Sequence, residues 1–255
     1  MCGPEIVPTV NIIMCVRFIF SKATQKVALF FAVRRAWCAV AAFLAVFFFC
    51  VWAVPGQAQT IRVRVDTVFD GDTIALAGGE RVRLRGIDAP EIRHGREPGQ
   101  YYGQESKKRL ASLVLGKDVF LETTELSTDR YGRKVGVVRL GNGRIVNLIM
   151  VEEGAAFVYP HSTDKDARLT EQLMQAQRTA MSRSTGFWRT VLRSAEAGRG
   201  YVGNKQSRRF HSLSCGMGQK MKKTNRVHFS SLHEALYAGF APARECTPWP
   251  AETVR

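Results

Sequence analysis

From Thr60 the chain settles into a period of two, with Ile61, Val63 and Val65 alternating with Arg62, Arg64 and Asp66. That spacing sends apolar side chains to one face of an extended segment and charged ones to the other, so it predicts a half-buried strand. Asp70-Gly71-Asp72-Thr73 then reads as a turn, Ile74-Ala75-Leu76 as a short strand, Gly78-Gly79 as a second turn and Arg81 to Arg85 as a third alternating strand. A polar loop follows, then a helix from about Tyr101 to Leu115 and strands at Asp118 to Glu122 and Lys134 to Leu140. Beyond Gly141-Asn142-Gly143 come a short helix near Val146 to Glu153 and a last one over about Ala167 to Ser182. The last carries Leu169, Leu173, Ala176 and Ala180 on one face. Short strands with interleaved helices predict an α+β chain built on a five-stranded barrel of the oligonucleotide-binding (OB) type, with about three helices.

The character of the sequence changes after Trp188. Ala195 to Gly200 reads as a small-residue linker, which predicts a barrel domain at 60–190 and a small α/β module at 201–248. Within that module Ser231 to Glu234 has capping-box spacing and Gly239 suits a helix C-terminus.

Residues 1–59 read as a leader. Ala36 to Val54 is uninterruptedly apolar, preceded by Arg34-Arg35 and followed by Pro55-Gly56-Gln57-Ala58-Gln59. This layout is that of a secretory signal cleaved after Ala58, although the run also nears the roughly 17 to 25 residues that span a bilayer. Export is expected either way, as a secreted or periplasmic protein or as one anchored by an uncleaved N-terminal helix. The residues before the run exceed an ordinary charged leader, so the start could lie later, for instance at Met14.

A 45% hydrophobic fraction excludes a disordered chain. The net charge is +15, and the leader holds only five basic residues against Glu5, so most of the excess belongs to the exported body. Such an excess favours an anionic partner, either nucleic acid or an acidic membrane surface. No obligate protein partner is evident, and a monomer is expected.

The residues that carry chemistry punctuate strand ends. Asp70, Asp72, Asp88 and Glu91 lie in two neighbouring turns, and a hard cation such as calcium wants several oxygen ligands of this kind. Singly, each turn could do no more than stabilise itself. Arg81, Arg83 and Arg85 share one strand face. An arginine fixed beside a metal can grip a phosphate bidentately and stabilise the charge of its transition state. That role falls to Arg83, with Arg81 and Arg85 expected on a solvated surface.

Asp70-Gly71-Asp72-Thr73, Arg83-Leu84-Arg85-Gly86-Ile87-Asp88-Ala89-Pro90-Glu91, Tyr102-Gly103-Gln104-Glu105 and Asp129-Arg130-Tyr131-Gly132-Arg133 together resemble the staphylococcal nuclease (thermonuclease) family over about Thr60 to Trp188. The resemblance implies a calcium-dependent nuclease cutting DNA or RNA at the 5′ P–O bond to leave 3′-phosphates. In it Asp72, Asp88 and the carbonyl of Ala89 would ligate calcium, with Asp70 one shell further out. Glu91 would be the general base, and Arg83 and Arg133 would flank the scissile phosphate. Arg130, standing where the family commonly has Lys, and Tyr131 would hold the terminal phosphate, and Tyr159 would stack on or bond the nucleotide.

The stretch from Tyr201 to Cys246 resembles the small zinc-binding domain of the Ada alkyl-repair type, except that Ala243 stands where a cysteine is expected. His211, Cys215 and Cys246 would be three zinc ligands, with His228, His233 or water as a fourth. In an exported protein these two cysteines are equally read as a disulfide or as free thiols. Lys220, Lys222, Lys223 and Arg226 would add nucleic-acid affinity or form a solvated face. Two rival functions remain at this level: a degenerate barrel that binds nucleic acid or protein without cutting, and a membrane-surface protein. The full set of carboxylates and arginines argues against both.

Overall fold

The computed structural model describes residues 59–95, 98–123, 126–159, 166–244 and 249–250. The expected leader, apart from Gln59, and Cys246 lie outside them. The described residues form one compact unit of mixed α and β structure.

The first strand, β1 (Thr60–Val68), is the spine of the main sheet. Its first half pairs antiparallel with β5 (Asp118–Glu122), from Thr60 opposite Glu122 to Arg64 opposite Asp118. Its second half pairs with β2 (Thr73–Leu76). A register shift between Val65 and Thr67 separates the two halves, and such a bulge bends a strand so that it can serve two neighbours. The expected alternation holds only where both neighbours close over the strand: Val65 is fully buried, whereas Ile61, on the half paired with β5, is 47% exposed.

β3 (Arg81–Leu84) returns antiparallel to β2 across a turn at Gly78 and Gly79, both at positive φ. It also runs parallel to β7 (Lys134–Gly136), which carries the short β6 (Ser127–Thr128) on its other side. β8 (Val138–Arg139) pairs with β5. The sheet order is therefore β6-β7-β3-β2-β1-β5-β8. Because β7 and β8 are separated only by Val137 yet lie toward opposite ends of that order, the sheet must curl. The strand expected at Lys134 to Leu140 is thus broken at Val137, each half serving a different partner. The curl encloses a core including Val65, Ile74, Leu84, Leu121 and Ile149.

Three helices pack about this sheet at the expected places: α1 (Gly103–Val114), α2 (Val146–Glu152) and α3 (Ala167–Ser182), with a short α4 (Trp188–Val191) following. Asp166 caps α3 by accepting a hydrogen bond from the Leu169 amide at 2.9 Å. A small ladder joins β4 (Ile87–Asp88) to β9 (Phe157–Val158), opposing Asp88 to Phe157.

The stretch from Tyr201 forms a four-stranded sheet of its own. Its members are β10 (Tyr201–Asn204), β11 (Arg209–Ser212), β12 (Arg226–Phe229) and β13 (Ala241–Pro242), in the order β12-β10-β11-β13. It is accompanied by α5 (Gly216–Gln219) and α6 (Leu232–Tyr237). Ser231 caps α6 by accepting from the Glu234 amide, and Gly239 follows at positive φ. This sheet shares its core with the first part of the chain. Phe157, Met181, Phe187 and Trp188 form one cluster with Tyr201, Phe210, Leu236, Phe240 and Trp249. Buried Gln177 of α3 fastens the join, accepting from the Val158 amide and donating to the Leu236 carbonyl at 2.6 Å.

Candidate active site

The turn after β1 and the turn after β4 meet because glycine permits it. A Cβ on Gly71 would stand 2.6 Å from the Ala89 Cβ and 2.7 Å from that of Ser106. Asp72, 3% exposed, fastens the two turns: one of its oxygens accepts from the Thr73 hydroxyl at 2.8 Å and the other from the Ala89 amide at 3.0 Å. Asp70 shapes the first turn by accepting from the Asp72 amide at 2.9 Å. The β2–β3 register sets Thr73 opposite Arg83, so the Arg83 guanidinium reaches Asp72 at 2.6 Å and Asp88, itself 2% exposed, also at 2.6 Å. Glu91 lies just beyond, its backbone clamped by Gln100, which both accepts from the Glu91 amide and donates its own amide to the Glu91 carbonyl. Gly103 at the head of α1 leaves room for that carbonyl, since a Cβ there would meet it at 2.4 Å.

Neighbouring carboxylates in so little water cannot all ionise freely. Burial pushes the Asp72 carboxyl up to about 8, against the pull of Arg83 and with help from Asp70 and Asp88. Burial acts in the same sense on Asp88, but Arg209, Arg83 and Arg244 outweigh it and hold that group well below the ordinary carboxylate range. Glu91 is raised, chiefly by burial, with Arg244 opposing.

The sequence model of the family described as "Staphylococcal nuclease homologue" matches residues 81–190. An uncharacterized endonuclease of Escherichia coli O157:H7 is 38% identical over 142 residues, covering 54% of this chain and 84% of that protein. A micrococcal nuclease of Shigella flexneri is 36% identical over 148 residues, 53% of this chain and 78% of the relative. Endonuclease YhcR of Bacillus subtilis is 28% identical over 201 residues, which is 69% of this chain and 16% of that much longer protein. The chain belongs to the staphylococcal nuclease family. It is a hydrolytic nuclease.

In the nuclease the remaining expected residues Arg130, Tyr131, Arg133 and Tyr159 line one cleft of about 1150 Å³ together with Arg83, whose guanidinium joins that cleft to the carboxylates. Arg133 is held by Asp129, whose carboxylate accepts from the Arg133 Nε at 2.8 Å and from the backbone amides of Tyr131 and Arg133. Arg130 lies over the exposed Tyr131 ring at 4.8 Å. The strand arginines part company: Arg81 stays at the surface over Phe69, whereas Arg85 is buried, contrary to expectation. β3 ends at Leu84, and the chain dives inward there. The Arg85 amide bonds the Gly136 carbonyl, its guanidinium reaches the Val135 carbonyl, and buried Asn147 bonds its own carbonyl at 2.9 Å.

Two further arginines enter the site from the far side of the chain. Arg209 on β11 lies 2.7 Å from Asp88, bonds the Pro242 carbonyl at 2.9 Å and covers one face of Tyr159 at 3.6 Å from the ring centroid. Arg244, just past β13, lies 2.5 Å from Glu91 and 3.6 Å from Asp88. Neither carries a local signal in the sequence. Arg209 is 121 positions from Asp88, and the shared aromatic core and the Gln177 bonds bring the two together.

Of the zinc set expected at His211, Cys215 and Cys246, the last lies outside the described residues, and Cys215 is not a free thiol. Cys215 is disulfide-bonded, and its sulfur lies 3.4 Å from His211 Nδ1. Among the described residues no group of three or more His, Cys, Asp or Glu is arranged to hold a metal ion. A sulfur in a disulfide has no thiolate to offer zinc. Of the readings the sequence left open for Cys215, the disulfide is the one found.

Proposed function

We propose that this nuclease is a calcium-dependent, exported phosphodiesterase that cuts DNA or RNA at the 5′ P–O bond and leaves 3′-phosphates. The observation that carries the reading is the pair of buried carboxylates, Asp72 and Asp88, on two touching turns and bridged by one arginine, with Glu91 immediately beyond. We read the curled sheet beneath them as a five-stranded OB-type barrel, counting β7 and β8 as one bent strand.

No three of the described acidic groups are arranged around one point, so the donors that suit a hard cation here are two carboxylates and a backbone carbonyl. Four acidic groups, Asp70, Asp72, Asp88 and Glu91, share the site with three guanidinium groups, and burial disfavours the charged form of Asp72. A divalent ion would supply the missing positive charge. Asp72 and Asp88 would hold it with the Ala89 carbonyl, Asp70 standing one shell behind, and calcium accepts carbonyls and waters for the rest of its oxygen shell. When bound, the metal supplies Lewis-acid polarisation of a phosphate oxygen.

The chain's own residues do the rest. Glu91, positioned through the Gln100 clamp, takes the proton of the attacking water. Arg83 and Arg133 balance the charge that grows on the equatorial phosphate oxygens as the 5′ oxygen departs. Contacts of this kind grip phosphate and sugar, so little sequence preference is expected. Export rests on the apolar run at Ala36 to Val54 behind Arg34-Arg35. The test is incubation of the purified chain with DNA and with RNA, in calcium and in excess chelator. Cleavage should need calcium, with magnesium a poorer substitute, and undiminished cleavage in chelator would overturn the metal assignment.

A further inference from the structure

The cleft has two walls. One is the barrel wall already described; the other is built by the chain beyond Tyr201, through Asn204, Arg209, Met217, Lys220, Met221 and Arg244. At about 1150 Å³ the space exceeds the 300 to 1000 Å³ of ordinary small-molecule pockets, so it has room for more than the nucleotide at the scissile bond.

The cations of the second wall differ in freedom. Arg209 is 17% exposed and fixed at three points, by Asp88, the Pro242 carbonyl and the Tyr159 ring, so it is a positioning residue for Asp88. Arg244 has the opposite character. Its side chain is 55% exposed, and it pairs with the 27%-exposed Glu91 at 2.5 Å and more distantly with buried Asp88 at 3.6 Å. Pairs of that exposure are worth at most about 1 kcal/mol, and a doubly hydrogen-bonded phosphate is a stronger partner for a guanidinium. Lys220 is an exposed cation on the same wall, beside Met217 and Met221, whose flexible side chains suit the faces of variable bases.

We propose that the C-terminal sheet is the second wall of the substrate site, on which Arg244 and Lys220 bind phosphates of the nucleic-acid strand flanking the scissile bond. Arg244 then has two partners in turn. It rests on Glu91, with Asp88 3.6 Å away, and it moves to a phosphate when a strand arrives, releasing the Glu91 carboxylate. The inference rests on the nuclease reading above.

The experiment uses the full chain and the double variant Arg244→Ala, Lys220→Ala, with Lys108→Ala, an exposed cation on α1, as control. Binding of a fluorescent single strand of about a dozen nucleotides is measured in chelator across a salt series. The dependence of log affinity on log salt should flatten by about 1.4, ~0.7 for each lost phosphate contact. In calcium, KM for that strand should rise by about tenfold more than KM for a dinucleotide substrate, because only the longer strand reaches the second wall. Arg244→Lys with Lys220→Arg should restore the salt slope, separating lost charge from lost structure. A double variant with the parent's slope and KM overturns the proposal. So does one whose kcat rises while KM stays fixed, since Arg244 would then be a plug on Glu91. Absence of calcium-dependent cleavage by the parent chain would fail the nuclease reading instead, and the salt slopes would still report on the wall.

Discussion

The two walls of the cleft are built by different means. On the barrel wall, several functional groups are fixed by residues close to them in sequence: Asp70 by the Asp72 amide, Asp72 in part by Thr73, and Arg133 by Asp129 within a single turn. On the opposite wall, Arg209 and Arg244 reach acidic groups more than a hundred positions away, and nothing local holds the two walls together. Their alignment depends on the aromatic cluster in which Phe187 packs edge-on to Trp188 and Trp249. The barrel wall thus carries chemistry that local turns can guarantee, while the second wall adds charge and reach at the expense of depending on tertiary packing.

The largest effect expected is one that breaks this dependence. Phe210 is fully buried in the shared cluster and packs edge-on to Tyr201 at 5.3 Å. Phe210→Ala should cost about 3 to 5 kcal/mol, lowering Tm by on the order of 10 °C for a unit of this size. Because one cluster serves both parts, thermal unfolding followed by circular dichroism should remain a single transition. Two separated transitions would show that the C-terminal sheet folds by itself and that the walls are only loosely joined.

Next in size is the barrel wall's own chemistry. Glu91→Gln keeps the shape of the side chain and removes the proton acceptor, so turnover should fall on the order of 100-fold while strand binding in chelator survives. Arg133→Ala should lower kcat by a comparable factor, because its charge matters most in the transition state. Parent-rate cleavage by both variants would move the chemistry to other residues. Gly71→Ala follows: its new Cβ has Ala89 and Ser106 in the way, and crowding of this kind typically costs 1 to 3 kcal/mol. The separation of the two turns should raise the calcium concentration needed for half-maximal activity, and an unchanged calcium requirement would argue that the turns are not the metal site.

The same contrast explains what could be read from the sequence. The carboxylate turns were legible because their geometry is local, and a few residues in order specify it; the Asp129 to Arg133 motif was legible through the family resemblance. The strands and main helices were legible from their periods, and the cap at Ser231 from its spacing to Glu234, whereas the cap at Asp166 emerged only from the structure. Arg85 was misassigned because period two says nothing about where a strand stops, and this one stops at Leu84. The break at Val137 was missed for a related reason: a strand that changes partners keeps an unbroken apolar pattern. Arg209 and Arg244 were invisible because their meaning comes from a fold that brings distant segments together. For the cysteines, zinc ligation, a disulfide and free thiols all stayed open, since ligand spacing and disulfide spacing are alike in sequence, and the disulfide at Cys215 is among those readings.

The smallest effect concerns how the barrel wall holds Arg133 when it is alone. Burial works against the charged form of Asp129, but hydrogen bonds from the Arg133 and Tyr131 backbone amides and the Arg133 side chain prevail and hold its carboxyl below the ordinary value. A group depressed in the folded state contributes stability that is present above its unfolded value and is lost as pH falls through the folded one. That window opens at about 3.9 and lies below it. The turn is near the surface, so solvent screening limits the contribution to a fraction of a kcal/mol, and global unfolding should barely register it. Hydrogen exchange should: protection of the Tyr131 and Arg133 amides, both donors to Asp129, should fall as pH drops below that point, after correction for the intrinsic pH dependence of exchange. Asp129→Asn should flatten the acid dependence while leaving a weaker turn. Amides whose corrected protection ignores pH across this window would show that Arg133 is held by something other than Asp129, and the barrel wall would then depend on distant contacts as the other wall does.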